Sequence, residues 1–139
     1  AKPVPVNFAN LRNPKKDMLW VALAGPGANF VMALGWALLL KLATLMPDSA
    51  FALPMAEMGK AGIRINAALM VLNLLPLPPL DGGRIAVSLL PHGAAWRFAR
   101  LEPYGFVILL LLLFTGILGA ILGPLIFGFI HVILIAFGF

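Results

Sequence analysis

The stretch that decides how this chain is read is "NLLPLPPLDGGRI", Asn73 to Ile85. An apolar run meets three prolines in four positions, Pro76, Pro78 and Pro79, and then Leu80, Asp81, Gly82 and Gly83. Proline has no N–H, so three backbone donors that would need partners are absent. The two glycines permit a tight turn and close backbone approach. Irregular backbone at membrane depth is tolerated only where protein buries it or water reaches it. A carboxylate there is costly unless it is paired or bound to a metal. A broken helix carrying Asp81 is therefore a candidate site. The plainer alternative is that Asp81 caps a short helix, Gly82 to Leu90, in a loop just outside the membrane, and that Asn73 bonds a neighbouring helix.

Outward from this stretch the chain is apolar on both sides. Of 139 residues 62% are hydrophobic and 11% charged, and the mean hydropathy is +1.02. Soluble domains carry about 25% charged residues, so an integral membrane protein is expected. The net charge of +5 is scattered over loops without interleaved aromatics, which argues against nucleic acid as a partner and for topology signals. With no cysteine, disulfides and thiolate metal sites are excluded. The chain opens at Ala1 without a first hydrophobic span and is expected to be part of a longer protein.

Residues 18–45 hold one charge, Lys41, and are long enough to span. "MPDSAFALPMAEMGK" reads as a loop over 47–60, followed by a second apolar run over 61–75. Residues 84–103 read as a basic loop with Arg84, Arg97 and Arg100, and residues 104–139 carry no charge. The latter stretch is too long for one span, and "GAILGP", Gly119 to Pro124, is the expected break of a hairpin. The fold class is thus an all-α polytopic membrane protein of about four transmembrane helices, one of them broken by the Pro-rich segment. It divides into an N-terminal strand or loop segment (1–17), core helices (18–90), and a cytoplasmic loop with a C-terminal hairpin (91–139). Lys and Arg in the first and third of the polar segments place both ends of the chain in the cytoplasm and the 47–60 loop outside. Trp20, Trp96 and Tyr104 then fall at the cytoplasmic interface.

"NLLPLPPLDGG" resembles the Asn-x-x-Pro-x-Pro-x-Leu-Asp-Gly signature of the site-2 protease family, the intramembrane zinc metallopeptidases. "LAGPGANF", Leu23 to Phe30, is similar to that family's Gly-Pro-x-x-Asn motif, carried by Gly25, Pro26 and Asn29. "AKPVPVNFANLRNP" resembles its membrane-associated strand. The resemblance implies Zn2+ as cofactor, held by two histidines of a His-Glu-x-x-His helix, whose Glu is the general base, and by Asp81. It implies that Asn73 steadies the scissile carbonyl or oxyanion, a task side-chain amides perform. Gly25, Pro26 and Asn29 would pack beside the site. The implied substrates are transmembrane segments of membrane-anchored proteins within a bilayer, expected to be a bacterial cell membrane. Zinc would supply a nucleophile by lowering the pKa of its water to about 7.

The chain departs from that pattern in one respect. No His-Glu-x-x-His occurs; the only histidines are His92 and His131, neither beside a Glu nor at helical spacing from another His. One of three ligands is present, so the expectation is a protease fragment, inactive alone, whose N-terminal His-Glu-x-x-His segment is missing. In an extended "KPVPVN", Pro3 and Pro5 leave one edge without donors while Val4 and Val6 keep theirs on the other. The resemblance makes that edge a substrate-strand candidate by β-augmentation; a polyproline-like linker is the alternative. Two other functions fit the composition, a non-enzymatic scaffold or chaperone-like relative that binds transmembrane helices, and a transporter with a discontinuous helix.

Overall fold

The computed structural model describes residues 14–139, and all regular structure among them is helical. The proposed strand, with Val4 and Val6, lies outside the described residues. Residues 14–17, placed in that segment by sequence, instead begin α1 (Pro14–Leu45), a helix of 32 residues. Then follow α2 (Ala52–Asn73), α3 (Asp81–Leu89), α4 (His92–Ala99), α5 (Glu102–Phe114) and α6 (Ile117–Ala136).

α1 and α2 are antiparallel, and small residues set their spacing. Ala33 and Ala37 of α1 are fully buried, with Leu40, against Ile63 of α2. Gly59 lies where a Cβ would sit 2.9 Å from the Trp36 carbonyl oxygen and 3.0 Å from the Leu40 Cβ. At Gly62 a Cβ would overlap the Trp36 indole itself. Without a hydrophobic drive between helices in lipid, such close backbone contact is what holds membrane helices together.

Two helices, α1 and α6, are long and apolar enough to cross a membrane by length and composition. The four-span count is not what the described residues show. Residues 52–60, read as loop, are the first turns of α2. That half of α2 carries Glu57, Lys60 and Arg64, the last of which falls inside the run read as apolar. The basic stretch 84–103 is likewise mostly helix, in α3 and α4.

The C-terminal hairpin is also corrected. The chain breaks at Thr115–Gly116, with Gly116 at φ 78°, while Pro124 lies inside α6. Leu118 and Leu122, early in α6, pack on Val71 near the end of α2. Ile133, late in α6, packs on Leu40 and Ile63. Lys41 then sits over the Phe139 ring, 5.0 Å from its centroid. α6 therefore runs parallel to α1 and ends beside the α1 C-terminus, not beside its start. Among the described residues the start of α1 and the end of α6 thus lie at opposite ends, where sequence expected the segments before α1 and after α6 on one face.

Candidate functional site

The Pro-rich segment between α2 and α3 is closed by its own backbone. Leu74 N–H donates to Met70 O at 3.0 Å, and Leu75 N–H to Leu72 O at 3.2 Å. Leu77 N–H donates to Leu75 O at 2.7 Å, and Leu80 N–H to Leu77 O at 2.9 Å. The remaining positions, 76, 78 and 79, are the prolines. Every donor from Leu74 through Leu80 is thus either bonded or absent, which irregular backbone away from water requires. Pro76 is exposed, Pro78 buried and Leu80 half-buried, and the Pro78–Pro79 bond is cis.

Glycines receive this segment from two sides. A Cβ at Gly82 would overlap the carbonyls of Leu74 and Leu75, and one at Gly83 would overlap the backbone of Leu77 and Pro78. Gly105 of α5 lies against the Pro78 carbonyl just as tightly. The end of α2 is consequently folded back onto the start of α3. Asn73, the last residue of α2, is half-buried and enters the turn one residue ahead of those carbonyls.

Asp81 opens α3 at its first helical position, with Leu80 as the cap residue and no side-chain cap bond. The alternative of Asp81 as a capping side chain is therefore not what forms. Its carboxylate points instead at α1, where Oδ2 lies against Gly25 so closely that a Cβ there would overlap it. Residues Gly25 and Asn29 are one turn apart on α1, and residues four apart share a helix face. Asn29 is buried at 9% exposure, and Pro26 beside it is buried too. The two motifs singled out by sequence, 56 positions apart (81 − 25), thus meet at one point. α3 lies outside the two helices long enough to span. There, burial raises the Asp81 carboxyl above the ordinary carboxylate value, and the Arg84 guanidinium one turn on pulls it part of the way back. The other flank of α3 faces a cavity of about 280 Å³ lined by Met18, Pro78, Pro79, Arg84 and Glu102 among others.

A catalytic zinc takes three protein ligands. Among the described residues no three His, Cys, Asp or Glu side chains come together. His92 is exposed at the start of α4, lining a small cavity with Lys15 and Trp96. His131 is exposed on α6 and stacks on Phe127, ring centroids 6.1 Å apart. Neither joins Asp81, so the described residues do not by themselves hold a zinc ion. Sequence reasoning missed Asn66, buried at 6% on α2, whose Nδ2 donates to Gly62 O at 2.8 Å. Its signal was a lone amide seven residues before Asn73, on the same helix face.

The chain is similar to two curated bacterial proteins. It is 34% identical over 128 residues to "Putative zinc metalloprotease YwhC" of Bacillus subtilis, covering 90% of this chain and 58% of that protein. It is 36% identical over 110 residues to "Putative zinc metalloprotease Rip2" of Mycolicibacterium smegmatis, covering 78% of this chain and 40% of that protein. The chain therefore spans about half the length of these relatives. No family model matches it, and no solved structure does.

Proposed function

We propose that this chain is the carboxylate-bearing part of an intramembrane zinc endopeptidase of the site-2 protease type, acting on transmembrane segments of membrane-anchored proteins. The observation that carries the reading is the seat of Asp81. A helix is broken, its donors are closed, and three glycines are spent on positioning one carboxylate against α1. A solvated loop has no need of that construction. The two similar proteins, named as zinc metalloproteases, support the same reading.

In this proposal Asp81 is one zinc ligand. The other two ligands and the general base come from outside the described residues, from the part that makes the relatives longer. Asn73, at the mouth of the same turn, contributes an amide to the substrate carbonyl. Asn29, Gly25 and Pro26 shape the α1 wall against which Asp81 rests. α1 and α6 cross the membrane in one direction and α2 returns between them, its polar first half towards the outer surface. The basic end of α1, with α3 and α4, faces the cytoplasm.

The test is zinc content and cleavage of a membrane-anchored substrate by the complete protein carrying Asp81→Asn. The expected outcome is loss of cleavage together with a fall in bound zinc. Undiminished proteolysis would remove Asp81 from the site. Normal zinc with cleavage lost would move Asp81 from ligand to positioning residue.

A further inference from the structure

At the opposite end of the molecule from Asp81, α1, α2 and α6 leave a cavity of about 440 Å³. Leu40, Ile63, Ile130, Leu134 and Phe139 give it apolar walls, and Lys60 and Arg64 stand in the same lining. One turn separates the two cations along α2, so they present charge to the same side. Lys60 shares itself with Glu57, its Nζ 3.1 Å from Oε1, in an exposed pair that leaves two further N–H donors. Arg64 is exposed and has no hydrogen-bond or ionic partner among the described residues. A third cation, Lys41, lies over Phe139 at the edge of the same group. Among the described residues the acid paired with any of them is Glu57.

An apolar trough running along three helices into a cluster of cations is complementary to one kind of molecule. We infer that this pocket binds an anionic phospholipid, its phosphodiester on Arg64 and Lys60 and one acyl chain along Leu40, Ile130 and Leu134. Guanidinium is suited to this because its planar fork meets two phosphate oxygens at once. The placement also accounts for a feature the fold leaves unexplained. α2 carries its charges, Glu57, Lys60 and Arg64, about two and a half to four and a half turns before Asn73, towards the end where an interfacial headgroup lies if α1 and α6 cross the membrane. Long cationic side chains at such a level reach headgroups while their stems cover apolar surface. Nothing in this inference depends on zinc or on Asp81.

The experiment is native mass spectrometry of the purified full chain released from detergent after titration with phosphatidylglycerol or phosphatidylcholine of identical acyl chains. One phosphatidylglycerol is expected to be retained at concentrations roughly tenfold lower than phosphatidylcholine, from two cations near one headgroup. The preference should vanish in Lys60→Gln/Arg64→Gln and persist in Arg97→Gln, a cation of the other end. Leu134→Trp, which fills the trough and leaves both charges, should weaken retention of both lipids. Equal retention of the two lipids, or an unchanged preference in the double variant, would overturn the inference. So would displacement of the lipid by inorganic phosphate at millimolar level, which would make the site one for the free anion. Failure of either lipid to bind would overturn it as well, leaving the trough to another segment of the protein.

Discussion

The two ends of the α1–α2 pair use the same device for different contents. At one end Gly62 makes room for the indole of Trp36, and Gly59 for the backbone of α1. At the other, Gly25 makes room for the carboxylate of Asp81. Removing a side chain to admit an apolar ring gains packing contact, which stabilises. Removing one to admit a half-buried carboxylate gains nothing of the kind, since burial works against its charged form. The first end is built for stability and the second at its expense. Positions of that second kind are where functional groups are found.

The sharpest way to break the comparison is to ask whether the ends lie on opposite sides of a membrane, an all-or-none result. Lys2, Arg12, Lys15, Lys16, Arg84, Arg97 and Arg100 belong to the Asp81 end by sequence or structure, and Lys41, Lys60 and Arg64 to the other. Seven against three is the basis on which the proposed function sets the Asp81 end in the cytoplasm. The chain has no cysteine, so single ones can be introduced. A membrane-impermeant maleimide on intact cells should modify Ser49→Cys and Ala136→Cys and leave Gly93→Cys untouched. Labelling Ser49 alone, with Gly93 and Ala136 both protected, would restore the hairpin that sequence suggested.

Within the Asp81 end, the next largest effect is expected at Asn73. Its amide is assigned to the chemical step in the proposed function, and loss of one such donor costs about 10²-fold in rate or more. Asn73→Ala in the complete protein should therefore lose cleavage by about that factor while bound zinc and thermal stability stay near normal. A fall in stability would instead place Asn73 with Asn66, an amide spent on its own helix.

Much of the Asp81 end was legible in the sequence, because proline and glycine state their consequences locally. Three missing donors at 76, 78 and 79 predict a break that needs few partners, and the structure closes the remaining four within the segment. The neighbour of Asp81 was named only through the family resemblance, which sets Gly25 beside the site; local pattern does not give it, since Gly25 reaches Asp81 only through the packing of α3 on α1. The other end was misread for an identifiable reason. Glu57 and Lys60, taken as loop charges, form an i, i+3 pair at 3.1 Å on a helix, a spacing that itself signals helix. In the C-terminal stretch Pro124 was weighted as a breaker, yet an apolar helix absorbs one proline when neighbours satisfy the freed carbonyl. The true stop is Thr115–Gly116, where a left-handed glycine follows the last apolar turn. The Thr115 hydroxyl donates to Leu111 O at 2.8 Å. A helix-ending glycine of this kind was visible in "LFTGIL" and was passed over for the proline.

The smallest expected effect tests the comparison directly, by adding one methyl group at each end. In Gly62→Ala the new Cβ meets the face of an indole held between two helices, which cannot withdraw without opening their contact. Overpacking of this kind costs about 1–3 kcal/mol. Unfolding in mild detergent should show that loss, with bound zinc in the complete protein unchanged. In Gly25→Ala the Cβ meets the free end of the Asp81 side chain, which can swing aside about a single torsion. Stability should change by less than about 1 kcal/mol, a rotamer-scale cost, while the displaced carboxylate lowers zinc content and cleavage. The two methyl groups thus separate two properties that a single destabilising defect would move together. If Gly25→Ala loses stability as Gly62→Ala does and keeps its zinc, Gly25 is a packing residue and the two ends differ only in what they pack. If Gly62→Ala loses zinc without losing stability, the apolar end is coupled to the site and the division between them fails.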